Sequence, residues 1–270
     1  MIQPPAKINL TLDIGPLGED GYHAIDTVFQ AVDLRDDLEV DLSGGPALAE
    51  DNLVMRALRR LDAEAPWSVR LKKRIPERAG LGGGSADCAA ALLAGARLLD
   101  VPVNRLSRHA ACLGSDVAFF LIGGAARGRG RGERLTPLPD LPTMWFCLAK
   151  PAHGVPTPEA FGLLDRDGRA MGTATERLTS AWSEVTSPEA LAQLLANDFE
   201  PAIRRAYPEV DALMDEVRRR GALNSVLCGS GSAVAALTAD EEHARRMAEA
   251  LESQGYWARA VRTLRRDEWP

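Results

Sequence analysis

Cysteine, long apolar runs and any excess of basic charge are all missing or scarce in this chain, and each shortage excludes something. The four cysteines, Cys88, Cys112, Cys147 and Cys228, lie far apart in 270 residues, which argues against a disulfide framework and against a cysteine metal site. No apolar run is long enough for a bilayer and no basic leader precedes the first strand pattern near Lys7, so we expect a cytoplasmic protein with no membrane partner. A net charge of -6 argues against nucleic acid as a bulk partner, leaves room for a local basic pocket, and points to a small molecule. Internal repeats and low-complexity tails are absent too. What remains is the composition of a globular protein, 46% hydrophobic and 26% charged, which at this length makes one large domain or two ordinary ones.

The most informative stretch is 75–87. A strand-like alternation leads into it, with Val69, Leu71, Lys73 and Ile75 set against Arg70, Lys72 and Arg74. An alanine-rich helix over 88–99 leaves it, with no proline until Pro102. Gly80, Gly82, Gly83 and Gly84 thus sit where a strand turns into a helix, and unpaired N–H groups at such a junction suit a phosphate. Two familiar signatures do not fit. No Lys-Ser or Lys-Thr follows the last glycine, Ser85 stands where a dinucleotide fingerprint has its third glycine, and no acidic residue follows at the ribose-reading distance. Alone, the run suits a tight turn as well as a phosphate cradle.

Along the chain, residues 7–14 alternate strictly, placing Lys7, Asn9, Thr11 and Asp13 on one strand face; the pattern favours a solvated face over convergence on a ligand. A glycine-rich loop then ends in Tyr22-His23, a pair that can stack on a base or simply pack. Residues 28–32 and 38–42 read as further strands of a meander, Asp51 or Asn52 caps a helix over 53–61, and Asn104 caps one ending near Gly114. Asp116, just ahead of a buried-looking apolar run, reads as a helix cap or as an acid tuned by its surroundings. Arg127, Arg129 and Arg131 alternate with glycines on one strand face, solvated or phosphate-binding. After a strand over 144–149, the proline-rich segment 151–158 sets a boundary, giving domains 1–150 and 151–270. The second holds helices at 188–196 and 208–220, strands at 223–228 and 233–237 interrupted by Gly229-Ser230-Gly231-Ser232, a helix at 241–253 and a strand at 257–264. That order suits helices on one side of an antiparallel sheet. Glu241, Glu242 and His243 read as a solvated helix face rather than a metal cluster.

Pro5-Ala6-Lys7-Ile8-Asn9-Leu10, the 80–85 loop and Leu227-Cys228-Gly229-Ser230-Gly231-Ser232-Ala233, in this order and spacing, resemble the three motifs of the GHMP kinase superfamily. Asp20-Gly21-Tyr22-His23, Gly114-Ser115-Asp116-Val117 and Pro156-Thr157-Pro158 are similar to its branch acting on a cytidine diphosphate polyol. The resemblance spans nearly the whole chain. It implies an α+β fold of two domains, an N-terminal mixed sheet with helices (ribosomal protein S5 domain 2-like) and a C-terminal ferredoxin-like sandwich, with the active site in the cleft between them. The implied reaction is ATP-dependent phosphorylation of the 2-hydroxyl of 4-diphosphocytidyl-2-C-methyl-D-erythritol, in the methylerythritol phosphate route of isoprenoid biosynthesis.

By that resemblance Asp116 would accept the hydroxyl proton and Lys7 would position it and offset charge. Lys73, Pro76, Gly80, Leu81, Gly82, Gly83, Gly84 and Ser85 would bind ATP, with Lys73 beside the adenine. Tyr22, His23 and Phe161 would hold the cytosine, Asn9 and Thr157 would line the acceptor pocket, and Gly229 and Ser230 would close it from the second domain. Magnesium would arrive with ATP, and no protein-held metal is expected. Two departures stand out. Ala86 replaces a second serine common in the family, removing a hydroxyl able to reach a phosphate, and Arg131 replaces an apolar residue, which suggests an outward side chain. Of the alternatives, a homoserine- or mevalonate-type kinase has no base to offer Tyr22-His23, and a non-catalytic regulator on the same fold would be expected to lack Lys7 or Asp116. The oligomeric state stays open.

Overall fold

A computed structural model describes residues 1–167 and 171–270. The alternation near the start extends into a long antiparallel pair, β1 (Pro5–Leu17) and β2 (His23–Arg35). The expected meander ends there, because β3 (Asp37–Asp41) leaves the sheet and pairs with β4 (Ser68–Lys72) in a ribbon of its own. The cause is Asp36, fully buried, whose carboxylate accepts the main-chain N–H groups of Arg74 and of Ile75 (2.8 Å) and so pins the start of β3 to the end of β4. Between these strands runs α1 (Leu53–Leu61), capped by Asn52, whose Oδ1 accepts the N–H of Val54 at 2.9 Å.

Next come α2 (Gly83–Leu98), α3 (Leu106–Leu113) and the single turn α4 (Val117–Phe120). A 3-10 turn over Val103–Arg105 precedes α3, so Asn104 is no cap. Then β5 (Ala125–Gly130) and β6 (Arg134–Leu138) extend the first sheet beyond β2.

The second half contains β7 (Trp145–Lys150), α5 (Thr157–Asp167), α6 (Ala174–Ser180), α7 (Pro188–Ala192), β8 (Ala196–Asn197), α8 (Glu200–Ala206), α9 (Pro208–Arg219), β9 (Asn224–Leu227), β10 (Val234–Thr238), α10 (Glu241–Glu252) and β11 (Trp257–Arg262). Here α5 begins inside the segment that looked like a proline-rich connection, because Pro158 falls in its first turn, where a missing N–H is harmless. Helix α7 is shorter than its sequence pattern, since Ala196 and Asn197 turn into β8 and pair in parallel with Thr11 and Leu12.

The first sheet has the order β6-β5-β2-β1-β8 and is mixed, β8 being its parallel edge. The second is antiparallel, β11-β7-β10-β9. Strands β7, β9, β10 and β11 with α9 and α10 form a ferredoxin-like β-α-β-β-α-β unit. That unit takes β7, an inner strand, from ahead of the 150/151 division. Cys147, Ala149, Val234 and Ala236 face α9 and α10. On the sheet's other side Phe146, Leu148, Val226 and Ala235 meet Ala6, Ile8, Leu10 and Val28 of β1 and β2, so the two sheets share an apolar layer. The chain's end returns to the first core, where Trp269 Nε1 donates to the Phe120 carbonyl at 2.8 Å. Among the described residues no helix is long and apolar enough to cross a membrane.

Candidate active site

Helix α2 starts at Gly83, earlier than the alanine run suggested, and its N-cap is Gly82 at φ +71°. Gly83, Gly84 and Ser85 therefore form its first turn, whose N–H groups have no carbonyl to pair with inside the helix and carry the positive end of its dipole. Two of the glycines are dictated by close approach. A Cβ on Gly80, also at positive φ, would run into the Cys228 carbonyl, and one on Gly82 would press on Phe120 and the Lys7 stem. Ala86 is fully buried in the apolar core. A serine hydroxyl there would face core rather than ligand, so the departure at this position removes no phosphate contact.

A cavity of about 660 Å³ opens over this turn. It is lined by Lys73, Pro76, Gly80, Leu81, Gly82, Gly83, Gly84 and Ser85, which brings together the whole set expected to bind ATP, along with apolar Leu53, Leu71 and Ile75. Asn52 and Asp87 line it as well. Lys73 is not a free cation. Its ammonium is shared between Asp36 and Asp87, the latter at 2.6 Å. Burial opposes the ammonium, yet the two carboxylates hold the Lys73 pKa above its ordinary value. Burial also lifts the Asp87 carboxyl to about 7 against the pull of Lys73. One oxygen of Asp87 is buried with no hydrogen-bond partner among the described residues.

A second cavity, of about 190 Å³, meets the first at Gly80 and Gly82. Lys7, Asn9, Thr27, Phe29, Asp116, Arg131, Thr157, Phe161, Phe199, Gly229 and Ser230 line it. The polar face of β1 is buried here, contrary to the solvated reading: Lys7 is 4% exposed, Asn9 2% and Thr11 0%. The reason is that the start of α2 and the 228–232 loop cover Lys7 and Asn9, while the first turn of α6 covers Thr11 and Asp13 through Ala174 and Thr175. Lys7 Nζ donates to Asn9 Oδ1 at 2.8 Å, which also accepts the Gly229 N–H at 3.0 Å. Asn9 Nδ2 donates to Thr27 Oγ1 at 2.8 Å. Asp116 occupies the N-cap position of α4, but its side chain caps nothing. Instead Oδ2 lies 3.6 Å from Lys7 Nζ. An ammonium and an uncommitted carboxylate thus stand together beside the junction of the cavities, the arrangement needed to take a proton from a hydroxyl and to stabilise negative charge. Thr157 Oγ1 and Ser230 Oγ are 3.0 Å apart on its far wall.

Tyr22 and His23 line an adjoining recess of about 520 Å³, which Arg131 shares with the second cavity. His23 is held by the Gly15 carbonyl at 2.9 Å and stacks on Phe161, with centroids 4.7 Å apart and planes 17° from parallel. The Arg131 guanidinium lies over the Tyr22 ring at 3.3 Å and reaches Asp20 at 3.1 Å, so it covers the aromatic rather than simply pointing outward. Arg127 is spent on Asp26 (2.6 Å) and Glu176 (2.8 Å), and Arg129 is exposed.

These features match known proteins. The family models described as GHMP kinases N terminal domain and GHMP kinases C terminal match residues 52–124 and 183–256. A 4-diphosphocytidyl-2-C-methyl-D-erythritol kinase of Moorella thermoacetica is 39% identical, with 96% of each chain covered. The chain belongs to that kinase family, within the GHMP kinases. The family member of Salinispora arenicola is 38% identical over 98% of this chain and 91% of its own. A crystal structure of a 4-(cytidine 5'-diphospho)-2C-methyl-D-erythritol kinase superposes with a TM-score of 0.85 at 34% identity, covering 97% of this chain and 98% of the other. Family motifs reach Lys7, the glycine loop and Asp116. They do not single out Asp36, Thr27, Asn197 or Phe199, whose roles appear only when distant segments meet.

Proposed function

We propose that this protein transfers the γ-phosphoryl group of ATP to the 2-hydroxyl of 4-diphosphocytidyl-2-C-methyl-D-erythritol, a step of isoprenoid biosynthesis. The observation that carries the reading is the Lys7–Asp116 pair at 3.6 Å, beside the point where the two cavities meet. Asp116 accepts the hydroxyl proton, the freed oxygen forms its bond to the γ-phosphorus, the bond from that phosphorus to the β-γ bridging oxygen breaks, and ADP leaves. Lys7 orients the hydroxyl and offsets the charge. The first turn of α2, Gly83 to Ser85, cradles the phosphates through main-chain N–H groups. Gly80, Leu81 and Gly82 shape the passage between donor and acceptor, and Lys73 and Pro76 lie towards the adenine.

On the acceptor side, Asn9, Thr157, Gly229 and Ser230 hold the polyol, and the cytosine is taken where the second cavity, with Phe161, meets the recess lined by Tyr22 and His23. Magnesium comes as the partner of the ATP phosphates. The oxygens this chain offers near them, the Ser85 hydroxyl and the carboxylates of Asp116 and of Asp87, the last already paired with Lys73, suit an ion that keeps phosphate and water ligands rather than a protein cage. We place the reaction in the cytoplasm, where ATP is supplied and four unpaired cysteines stay reduced.

Incubation with ATP and, in turn, the cytidine diphosphate polyol, mevalonate and homoserine, with ADP release followed, tests the reading. Turnover confined to the polyol is expected. Turnover of mevalonate or homoserine alone would overturn it.

A further inference from the structure

Asn197 stands outside both cavities, yet its side chain is fully committed to the acceptor wall. It is 6% exposed. Its Nδ2 donates to the Leu227 carbonyl at 2.7 Å and the Gly229 carbonyl at 2.8 Å, and its Oδ1 accepts the Phe199 N–H at 2.9 Å. Both amide protons and the oxygen are therefore used. Gly229 is one step further into the site: its N–H goes to Asn9 Oδ1, the atom that also receives Lys7 Nζ. A single amide thus fixes the carbonyl of the residue whose N–H shares an acceptor with the catalytic lysine.

The neighbours of Asn197 hold the same place from other sides. Asp198 Oδ2 accepts the Ile14 N–H of β1 at 2.8 Å and the Gly172 N–H at 3.0 Å. Phe199 meets the Phe161 ring edge-on, with centroids 5.0 Å apart. Glu200 Oε1 accepts the Leu227 N–H at 2.9 Å. Four consecutive side chains therefore bind β1, the aromatic wall and the 227–229 backbone into one assembly, and β8 anchors them by pairing with Thr11 and Leu12.

We propose that Asn197 is a positioning residue for phosphoryl transfer: through Gly229 and Asn9 it sets where Lys7 and the Ser230 hydroxyl stand against the acceptor, without touching either substrate. This rests on the assignment of the second cavity to the acceptor. The donor turn lies on α2, which none of these bonds reaches, so the effect falls on turnover and on the acceptor rather than on ATP.

The test is Asn197→Asp, which keeps shape but sets a carboxylate oxygen against two carbonyls. Its expected result is a fall in kcat of about 10- to 100-fold, as displacement of reacting groups by roughly 1 Å produces, with ATP affinity within about twofold of wild type. Asn224→Ala is the matched control, since it removes another amide-to-carbonyl bond (Asn224 Nδ2 to Ala192, 2.6 Å) from β9 away from the site; it should lower the melting temperature and leave kcat alone. Unchanged kcat per folded Asn197→Asp enzyme, an equal loss of ATP affinity, or an equal loss of kcat in Asn224→Ala would each overturn the proposal. Should Asn197→Asp fail to fold, Asn197→Ser, which retains one donor, decides by hydrogen exchange: the Gly229 amide should exchange faster while those of β10 do not, with kcat reduced, and unchanged Gly229 exchange would refute the role. Failure of the wild type to use the cytidine diphosphate polyol strikes the substrate assignment instead, a separate result.

Discussion

The donor cavity and the acceptor cavity share Gly80 and Gly82 and are built of different material. Main-chain N–H groups, glycines and apolar walls shape the first, with the Lys73 cluster at one side. Buried polar side chains of β1, β2 and the 228–232 loop, with the more exposed Asp116 and Thr157 at its edge, shape the second. A nucleotide's phosphates can be gripped by a backbone turn whatever side chains surround it. Choosing one hydroxyl of one polyol requires fixed side chains. Substitutions on the acceptor side should therefore act on turnover and selectivity, and those on the donor side on ATP affinity, through the backbone turn and the Lys73 cluster.

Asp116→Asn is the sharpest way to break that contrast. It should lower kcat by about 10²–10⁴ with ATP binding unchanged by calorimetry, and near-normal kcat would move the base elsewhere. Gly80→Ala strikes the seam between the cavities, where positive φ and the Cys228 carbonyl both forbid a side chain. We expect a stability loss of about 3 kcal/mol in urea unfolding, with both ligands weakened together; loss of one alone would mean the cavities are independent.

Phe161→Ala should weaken the cytidine compound about tenfold, the worth of an aromatic contact of roughly 1–1.5 kcal/mol, and spare ATP. The reverse in titration would exchange the two ends of the site.

The smallest effect is a pH dependence carried by Glu200. Burial lifts its carboxyl to about 7, with the Leu227 N–H, Arg204 and Arg218 pulling the other way. Unfolded, it titrates near ~4.3. Between those values the folded protein keeps a proton that the unfolded chain releases, so stability falls as pH rises through that window. Glu200→Gln keeps an oxygen for Leu227 and removes the charge. Relative to wild type it should gain roughly 1–2 kcal/mol between pH 5 and pH 8, and parallel stability curves would place the titration elsewhere.

How much of this was legible in the sequence follows the same division. The glycine turn is visible because its residues adjoin one another, though its role came from the family motifs, and the second half's helices and antiparallel strands are visible because each has its own period, the ferredoxin-like order coming from the resemblance. Asp116 was ambiguous between cap and acid until its side chain was seen to cap nothing. The polar face of β1 could not be read, because buried and solvated faces alternate identically and only α2, the 228–232 loop and α6 decide between them. Asp36 stands among charged neighbours, Arg35 and Asp37, and nothing near it in the sequence shows its partners, which lie at 73–75. Asn197 closes contacts 30 and 32 residues away, beyond the reach of any local pattern.

Many two-lobed enzymes open by rotating one lobe from the other between turnovers. Here such a rotation would bring Ile8, Leu10, Val28, Phe146 and Leu148, all at or near zero exposure, into water, at about 25 cal/mol for each Å² uncovered. A wide hinge here carries that cost in full. The end of β1 and the loop that follows it, with exposed Leu17 and Tyr22, lie off that apolar layer, so they can rearrange without uncovering it.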